Sequence, residues 1–135
     1  MSDATNWTEE YVLKHLLTTD SVTRPTSWKV GLFTSDPTET GAAGTEVSGT
    51  GYVRTAATFT VAESPSGTWT AENSAAITFP ACTDPAGWGT ITHVVVYAYD
   101  GTDQPAFYGA VTASKQIDQN DTFQISANNL TITLD

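Results

Sequence analysis

The sequence predicts an all-β protein, a single β-sandwich with one short N-terminal α-helix outside it, and a jelly roll is one form that the strand spacing allows. Residues 28–134 contain seven or eight short runs of alternating apolar and polar residues, separated by Gly, Pro, Asn and Asp. The chain is rich in threonine, which suits a half-buried pleated surface. With 135 residues it is long enough for one domain with its own core. We expect residues 1–26 to form a helix and arm that pack on the domain or on a neighbour, and residues 27–135 to form the sandwich.

The helix is predicted to begin at Asn6 and to end near Thr18. Asn6 can cap the first turn while Glu9, three residues later, reaches back as in a capping box. Apolar residues spaced i to i+4 form a broad face that consists of Trp7, Tyr11, Val12, Leu13, Leu16 and Leu17. A helix this short is marginal alone, so its apolar side must pack on the domain or on a neighbouring subunit.

The first strand and the loop after it are the most informative part of the chain. The strand alternates with a period of two from Trp28 to Phe33 and stops at Asp36-Pro37, because proline has no N–H for a ladder. About fifteen residues without regular structure follow, and a second strand is predicted over residues 52–61. Long loops in small domains are commonly functional. This loop contains no His, Cys, Lys or Arg before Tyr52, so we interpret it as a contact surface rather than a catalytic one.

The remaining strands are predicted between turn signals, over residues 68–71, 76–79, 90–99, 106–113, 122–127 and 130–134. The run 90–99 is apolar on both faces, which is typical of a central strand. Asp100-Gly101 predicts a hairpin into the next strand, and Asn128-Asn129 tolerate left-handed turn geometry.

Charge and composition exclude several classes of function. Five basic against 15 acidic residues give a net charge of −10, which disfavours nucleic acid and anionic membranes as partners. No apolar run reaches the length of a membrane span, and the N-terminus lacks a signal peptide's apolar region, so we expect synthesis in a cytoplasm without secretion. The single cysteine, Cys82, excludes an internal disulfide.

No recognised catalytic motif is present in the sequence, and we expect neither an enzyme nor a cofactor. His15 and His93 have no partner at catalytic or metal-ligand spacing, so a structural imidazole is the better interpretation of each. Cys82 is interpreted in the same way, as a small buried or loop thiol.

Two pairs of aspartates leave an alternative open. Asp100 with Asp103, and Asp118 with Asp121, could each give two oxygen ligands to a cation, but a calcium loop needs more ligands than two. Ordinary turn chemistry is the favoured interpretation of both pairs. The same interpretation applies to the acids of the long loop, which are Asp36, Glu39 and Glu46.

The four tryptophans could form an aromatic platform for sugars, although core or subunit-contact packing is favoured. Trp28 falls on the apolar face of its strand and is predicted to lie in the core. Trp88 stands between two glycines and is the best candidate for an exposed ring, while Trp7 and Trp69 complete the set.

Several segments together resemble a family of small virion proteins of tailed bacteriophages, often labelled tail-fibre proteins. The segments are WKVGLFTSDPTETGAAGTEVSGTGYVR (28–54), NSAAITFP (73–80), GWGTITH (87–93), FYGAV (107–111), DTFQI (121–125) and LTITL (130–134). The N-terminal helix followed by Arg24-Pro25 is also similar to the family's opening. Asn120 departs from the family, which has glycine before the aspartate.

The resemblance implies a non-enzymatic virion structural protein. A small domain without fibre repeats or heptads favours a capsid decoration (cement) protein on the outer surface of the head, as a homotrimer that bridges subunits of the major capsid protein. The alternative is a tail-fibre, head-fibre or baseplate component that acts as an adhesion or glycan-binding module. The candidate interface residues are Trp7, Tyr11, Leu16, Asp36, Pro37, Glu46, Tyr52 and Trp88, with no metal ligand among them.

Overall fold

The computed structural model describes residues 3–134 and confirms the predicted all-β, sandwich-like class with one short helix. The helix α1 spans Asn6–Leu17. The strands of the described residues are β1 (Asp3–Ala4), β2 (Ser27–Phe33), β3 (Thr55–Ala57), β4 (Phe59–Glu63), β5 (Trp69–Asn73), β6 (Ile77–Thr78), β7 (Gly89–Tyr99), β8 (Asp103–Ile117), β9 (Gln124–Ile125) and β10 (Thr131–Thr133). None of the helical structure in residues 3–134 is long and apolar enough to cross a membrane.

The strands form three antiparallel sheets. The largest has the order β1-β8-β7-β2-β3, the second has the order β10-β5-β4, and β6 pairs with β9 in a third. The strand β7 has a partner on each side, β2 and β8, which confirms the prediction that the run 90–99 is central. Its hairpin with β8 turns at Asp100-Gly101 as predicted, with φ of +122° at Gly101.

The main core lies between the largest sheet and the other two. In the register of β2 with β7, Val30 is opposite Val96 and Leu32 is opposite Val94, and all four side chains are buried. They pack with residues of the other sheets and their connections, among them Ile77, Phe79, Ile91, Ile117, Phe123, Leu130 and Ile132. A smaller cluster on the opposite face of the largest sheet consists of Phe33, Val95 and Tyr97, with Tyr108 packed against it.

The N-terminal cap of α1 is Thr5, so the predicted cap at Asn6 is wrong by one residue. Thr5 has extended backbone angles because it directly follows β1, which pairs with β8. Its buried hydroxyl accepts a bond from the N–H of Thr8 and donates to the carbonyl oxygens of Pro105 and Ala106. The same threonine therefore starts the helix and fastens it to the sheet. The predicted end near Thr18 is confirmed.

The single strand predicted over residues 52–61 is wrong. The predicted strand is interrupted at Thr58, because β3 pairs with β2 in one sheet while β4 pairs with β5 in another. The apolar alternation runs through this change of sheet, so the pattern alone does not show it. At the C-terminal end, β9 and β10 also join different sheets, and Asn128 between them takes the predicted left-handed geometry with φ of +66°.

Candidate interaction site

An apolar groove of about 520 Å³ opens between α1, the end of the largest sheet and the sheet that contains β4, β5 and β10. None of the described residues that line it is charged. From here on, the groove means the surface lined by Trp7, Tyr11, Val12, Trp28, Phe59, Val61, Trp69, Val96, Ala98, Phe107, Ile132 and Leu134.

The groove exists because the two sheets separate at this end of the sandwich. Trp28 lies on the same face of β2 as the buried Val30, but the facing sheet does not cover it, and it is 39% exposed. The prediction that Trp28 belongs to the core is therefore wrong. Val61 and Trp69 on the facing hairpin are 65% and 60% exposed. Large apolar side chains this open, clustered around one concavity, are typical of an interaction site rather than of ordinary surface.

The helix forms one wall of the groove with only one of its faces. Trp7 stacks on Tyr11 with ring centroids 5.2 Å apart, and Tyr11 stacks on His15 at 6.0 Å. With 3.6 residues per turn, Leu13 and Leu16 lie on the side away from this ladder.

Three leucines on that outer side of α1 are left uncovered in the described chain. Leu13, Leu16 and Leu17 are 57%, 71% and 75% exposed, and we call these three residues the leucine ridge. A helix normally buries its leucines. The broad apolar face seen in the sequence is thus divided into a face that packs on the domain and a ridge that faces outward.

The long loop after β2 contains no helix or strand between Phe33 and Thr55, which confirms the predicted stretch without regular structure, and hydrogen bonds hold it against β2. It runs along the edge of β2, where the N–H of Thr34 donates to the carbonyl oxygen of Thr45 and the N–H of Val47 donates to that of Leu32. Asp36 accepts a bond from the N–H of Thr38, as expected for a turn, and Pro37 is buried.

A network around Arg54 fastens this loop to the outer face of the sheet. The Arg54 guanidinium donates two bonds to Glu46, of 2.7 and 2.8 Å, and one of 3.0 Å to Asp103. It also lies 3.7 Å from the centre of the Tyr97 ring, which is a cation–π contact. The Tyr52 hydroxyl donates to Glu46 at 2.7 Å and accepts a bond from the N–H of Leu32.

The network changes the acidity of its members. Burial, and then the bond to Glu46, raises the pKa of Tyr52 well above its ordinary value. Burial and the charge of Glu46 raise the pKa of Tyr97 to about 12. The bond to Glu46 also raises the pKa of Arg54. The guanidinium stays charged and both phenols stay neutral at neutral pH, so the arrangement acts as a fixed clamp.

Comparison with known protein families gives one match that spans almost the whole chain. Residues 3–133 match the family model described as "Podophage GP4 fiber I protein gp80". The chain belongs to this family. It is therefore a bacteriophage virion structural protein and a component of the virion, which confirms the resemblance found in the sequence. A search of curated proteins found no match.

In this member of the fiber I family, the predicted interface residues do not form one surface. Trp7 and Tyr11 line the groove, and Leu16 lies on the leucine ridge behind them. The other predicted residues lie on or beside the long loop, where Pro37 is buried and Glu46 and Tyr52 are held in the Arg54 network. Their contact role stays a prediction.

The expectation that Trp88 is exposed is wrong, because its ring is 5% exposed. It packs edge-on against Tyr52, with ring centroids 5.6 Å apart, and its indole N–H donates to the carbonyl oxygen of Thr50. A Cβ at Gly49 would lie 2.6 Å from the Trp88 ring, so the loop can cover this tryptophan only because residue 49 has no side chain.

The candidate aspartate pairs serve turns and ion pairs. Asp100 accepts bonds from its own turn, whereas Asp103 on β8 forms ion pairs with Lys29 on β2 and with Arg54 just before β3. Asp121 accepts a bond from the N–H of Asp118. The turn between them forms with φ of +73° at Asn120, the position where the resemblance implies glycine.

The remaining candidate residues have structural partners. The ring of His93 shares a 2.8 Å hydrogen bond with the hydroxyl of Thr92, and Cys82 is buried beside the carbonyl oxygen of Asp84. In residues 3–134, no group of three or more His, Cys, Asp or Glu side chains is arranged to hold a metal ion.

Sequence reasoning missed the groove as a unit. Its walls come from seven separate segments. Val61 was not a candidate site residue, and Trp69 was considered only as part of a possible platform for sugars. Val61 and Trp69 lie on the two strands of one hairpin, three residues before and two residues after the turn at 64–67. The sequence shows two large apolar side chains near a hairpin turn, but it does not show that the facing layer ends there.

Proposed function

We propose that this chain is a non-enzymatic component of a virion fibre and that it acts by protein–protein contact through the groove. The uncharged, open groove is the observation that carries this proposal. Its walls offer large apolar side chains and few polar groups, a composition suited to burying another protein's apolar side chains.

The family description favours a fibre protein. The small domain without repeats or heptads had favoured a capsid decoration protein instead. The argument against a fibre was the lack of repeats and heptads in the sequence. A fibre can also be built from compact domains joined by repeated contacts, so that argument loses weight once the groove is considered. The head decoration role remains the competing outcome of the localisation experiment below.

The size of the groove sets the strength expected of one contact. Trp28 and Trp69 together expose the equivalent of about one whole indole, roughly 250 Å². At about 25 cal/mol per Å², burial of that area contributes about 6 kcal/mol. This is similar to the cost of association, so one groove gives a weak contact and a stable assembly needs several contacts together.

A glycan-binding role is a second candidate, supported by the two exposed tryptophans, Trp28 and Trp69. Sugars stack on indole rings but also need polar groups for their hydroxyls, and the groove offers few. A glycan array probed with the wild-type protein and with Trp69→Ala tests this candidate. Binding that is lost in the variant would support it, and an array without hits would remove it.

The location of the chain on the particle tests the fibre proposal. Immunogold labelling of intact virions, with an antibody to the major capsid protein as the control, should place this chain on projecting appendages. Quantitative mass spectrometry should give a copy number that is a small fraction of that of the major capsid protein. Label spread evenly over the head, at a copy number comparable to that of the capsid protein, would refute the fibre role and support decoration.

A further inference from the structure

We propose that the groove of one copy receives the leucine ridge of a second copy, so that copies join head to tail. This inference rests on the proposed fibre role and adds a partner to it. The two surfaces are complementary in kind, because one is a concave apolar channel and the other is a convex row of apolar side chains. Neither is covered within the described chain.

The ridge of one copy cannot fill the groove of the same copy, because the two surfaces lie on opposite sides of α1. At 100° per residue, Trp7, Tyr11 and Val12 lie on the groove side of α1, whereas Leu13, Leu16 and Leu17 are centred on the opposite side. The ridge therefore points away from the groove of its own chain. A contact that buries both surfaces needs two copies, related by a step rather than by a twofold axis.

Two exposed tryptophans of the groove supply about half of the apolar surface that one side of such a contact requires. A standard interface buries roughly 800 Å² on each partner, of which a little over half is apolar. The exposed parts of Trp28 and Trp69 give roughly 250 Å² of apolar surface. Val61 and Leu134, at 65% and 61% exposed, add further apolar surface on the same side.

The charges favour a second copy over a basic partner protein. The groove has no charged lining residue that would attract a basic segment. On the ridge's own helix, Lys14 is paired with Glu10, while Glu9 adds one negative charge on the ridge side of the helix. The net charge of −10 opposes close packing of copies at low salt. Association between copies should therefore strengthen as salt rises, whereas binding of a basic partner would weaken.

A head-to-tail contact leaves one free groove and one free ridge at the ends of every assembly. Such contacts close into rings or continue as filaments, according to the rotation between copies. Each added copy repeats the same contact, which is how a weak single interface can build an extended structure.

Two one-sided variants test the proposal. The ridge variant carries Leu16→Asp and Leu17→Asp, and the groove variant carries Val61→Asp and Trp69→Asp. Val53→Asp is the matched control, because Val53 is 56% exposed but belongs to neither surface. Circular dichroism and thermal melting establish that each variant is folded, and Leu134→Asp replaces the groove variant if that one is not.

Sedimentation velocity over a range of protein and salt concentrations gives the result. We expect the wild type and Val53→Asp to grow beyond the 14.3 kDa monomer and beyond the dimer, more so at high salt. Each one-sided variant alone should lose association by at least about tenfold. An equimolar mixture of the two should form a 1:1 heterodimer and nothing larger, because one intact ridge then meets one intact groove.

Several results would overturn the inference. A wild type that remains monomeric at all concentrations excludes self-association, and a mixture that does not pair excludes the head-to-tail arrangement. Unchanged association in either one-sided variant also excludes it. These outcomes leave the fibre proposal standing if the labelling of virions supports it, so the two failures can be told apart.

Discussion

Replacement of Arg54 by alanine should lower the free energy of unfolding by about 3 kcal/mol. Arg54 makes three charge-assisted hydrogen bonds, to Glu46 and Asp103, and a cation–π contact with Tyr97. Such bonds contribute about 1.5–3 kcal/mol each when buried. The Arg54 side chain is 31% exposed, so water screens part of each bond and we assign about 1 kcal/mol to each. The variant also leaves Glu46 without its cation, while Asp103 keeps its ion pair with Lys29.

Arg54→Lys distinguishes geometry from charge. Lysine keeps the positive charge but cannot form the paired bonds to Glu46 or lie flat on the Tyr97 ring. We expect it to recover about half of the loss. Arg24→Ala is the matched control, because Arg24 is exposed and its removal changes the net charge equally. Its effect should stay within about 0.5 kcal/mol.

Urea unfolding followed by tryptophan fluorescence measures these differences. The midpoint should fall while the m-value stays constant, since the surface exposed on unfolding does not change. In thermal melts, a loss of about 3 kcal/mol corresponds to roughly 10 °C for a domain of this size. If Arg54→Ala costs less than about 1 kcal/mol, or if Arg54→Lys equals the wild type, the clamp does not hold the loop as described.

Three further predictions concern pH, the helix cap and a turn. Burial, and then the charge of Glu46, raises the pKa of Tyr97 from 10.0 to about 12, so stability should be unaffected below pH 10 and fall between pH 10 and 12, on the order of 2–3 kcal/mol. Urea titrations across that range should show a smaller fall in Tyr97→Phe, and an equal fall would contradict the assignment. Thr5→Ala should cost about 1–2 kcal/mol and speed hydrogen exchange in α1, and unchanged exchange would contradict its role as cap. Gly87→Ala should destabilise the protein more than Gly67→Ala in the same titrations. Both glycines have positive φ, but only at Gly87 would the new Cβ meet backbone, 2.5 Å from a carbonyl oxygen. Equal losses of stability would argue against that crowding.

Local patterns in the sequence identify the fold class and the central strand because those features depend on neighbours along the chain. The strand β7 is apolar on both faces, and only a position between two strands and two layers accounts for that pattern. The break at Thr58 is different, since the alternation of residues does not change where the chain passes from one sheet to another.

Trp28 was predicted to be buried and is exposed, whereas Trp88 was the candidate for an exposed ring and is buried. Residues distant in the sequence cause both differences. Trp88 is covered by the loop around Gly49 and by Tyr52, more than thirty residues earlier in the chain. Trp28 follows the buried periodicity of β2 but lies beyond the edge of the facing sheet. Burial of a single side chain depends on which layers end where, and strand periodicity contains no information on that point. The groove could not be predicted for the same reason.

The few basic side chains of this chain also determine where trypsin can cleave it. Trypsin cleaves after lysine or arginine in an extended, accessible segment, and the sequence offers five such residues. Arg24 precedes a proline, which blocks cleavage. Lys14 lies inside α1, Lys29 inside β2 and Lys115 inside β8, while Arg54 is held by Glu46 and Asp103. Digestion by trypsin therefore has to wait for unfolding, because three of these residues lie in regular structure, one is held by ion pairs and one precedes proline.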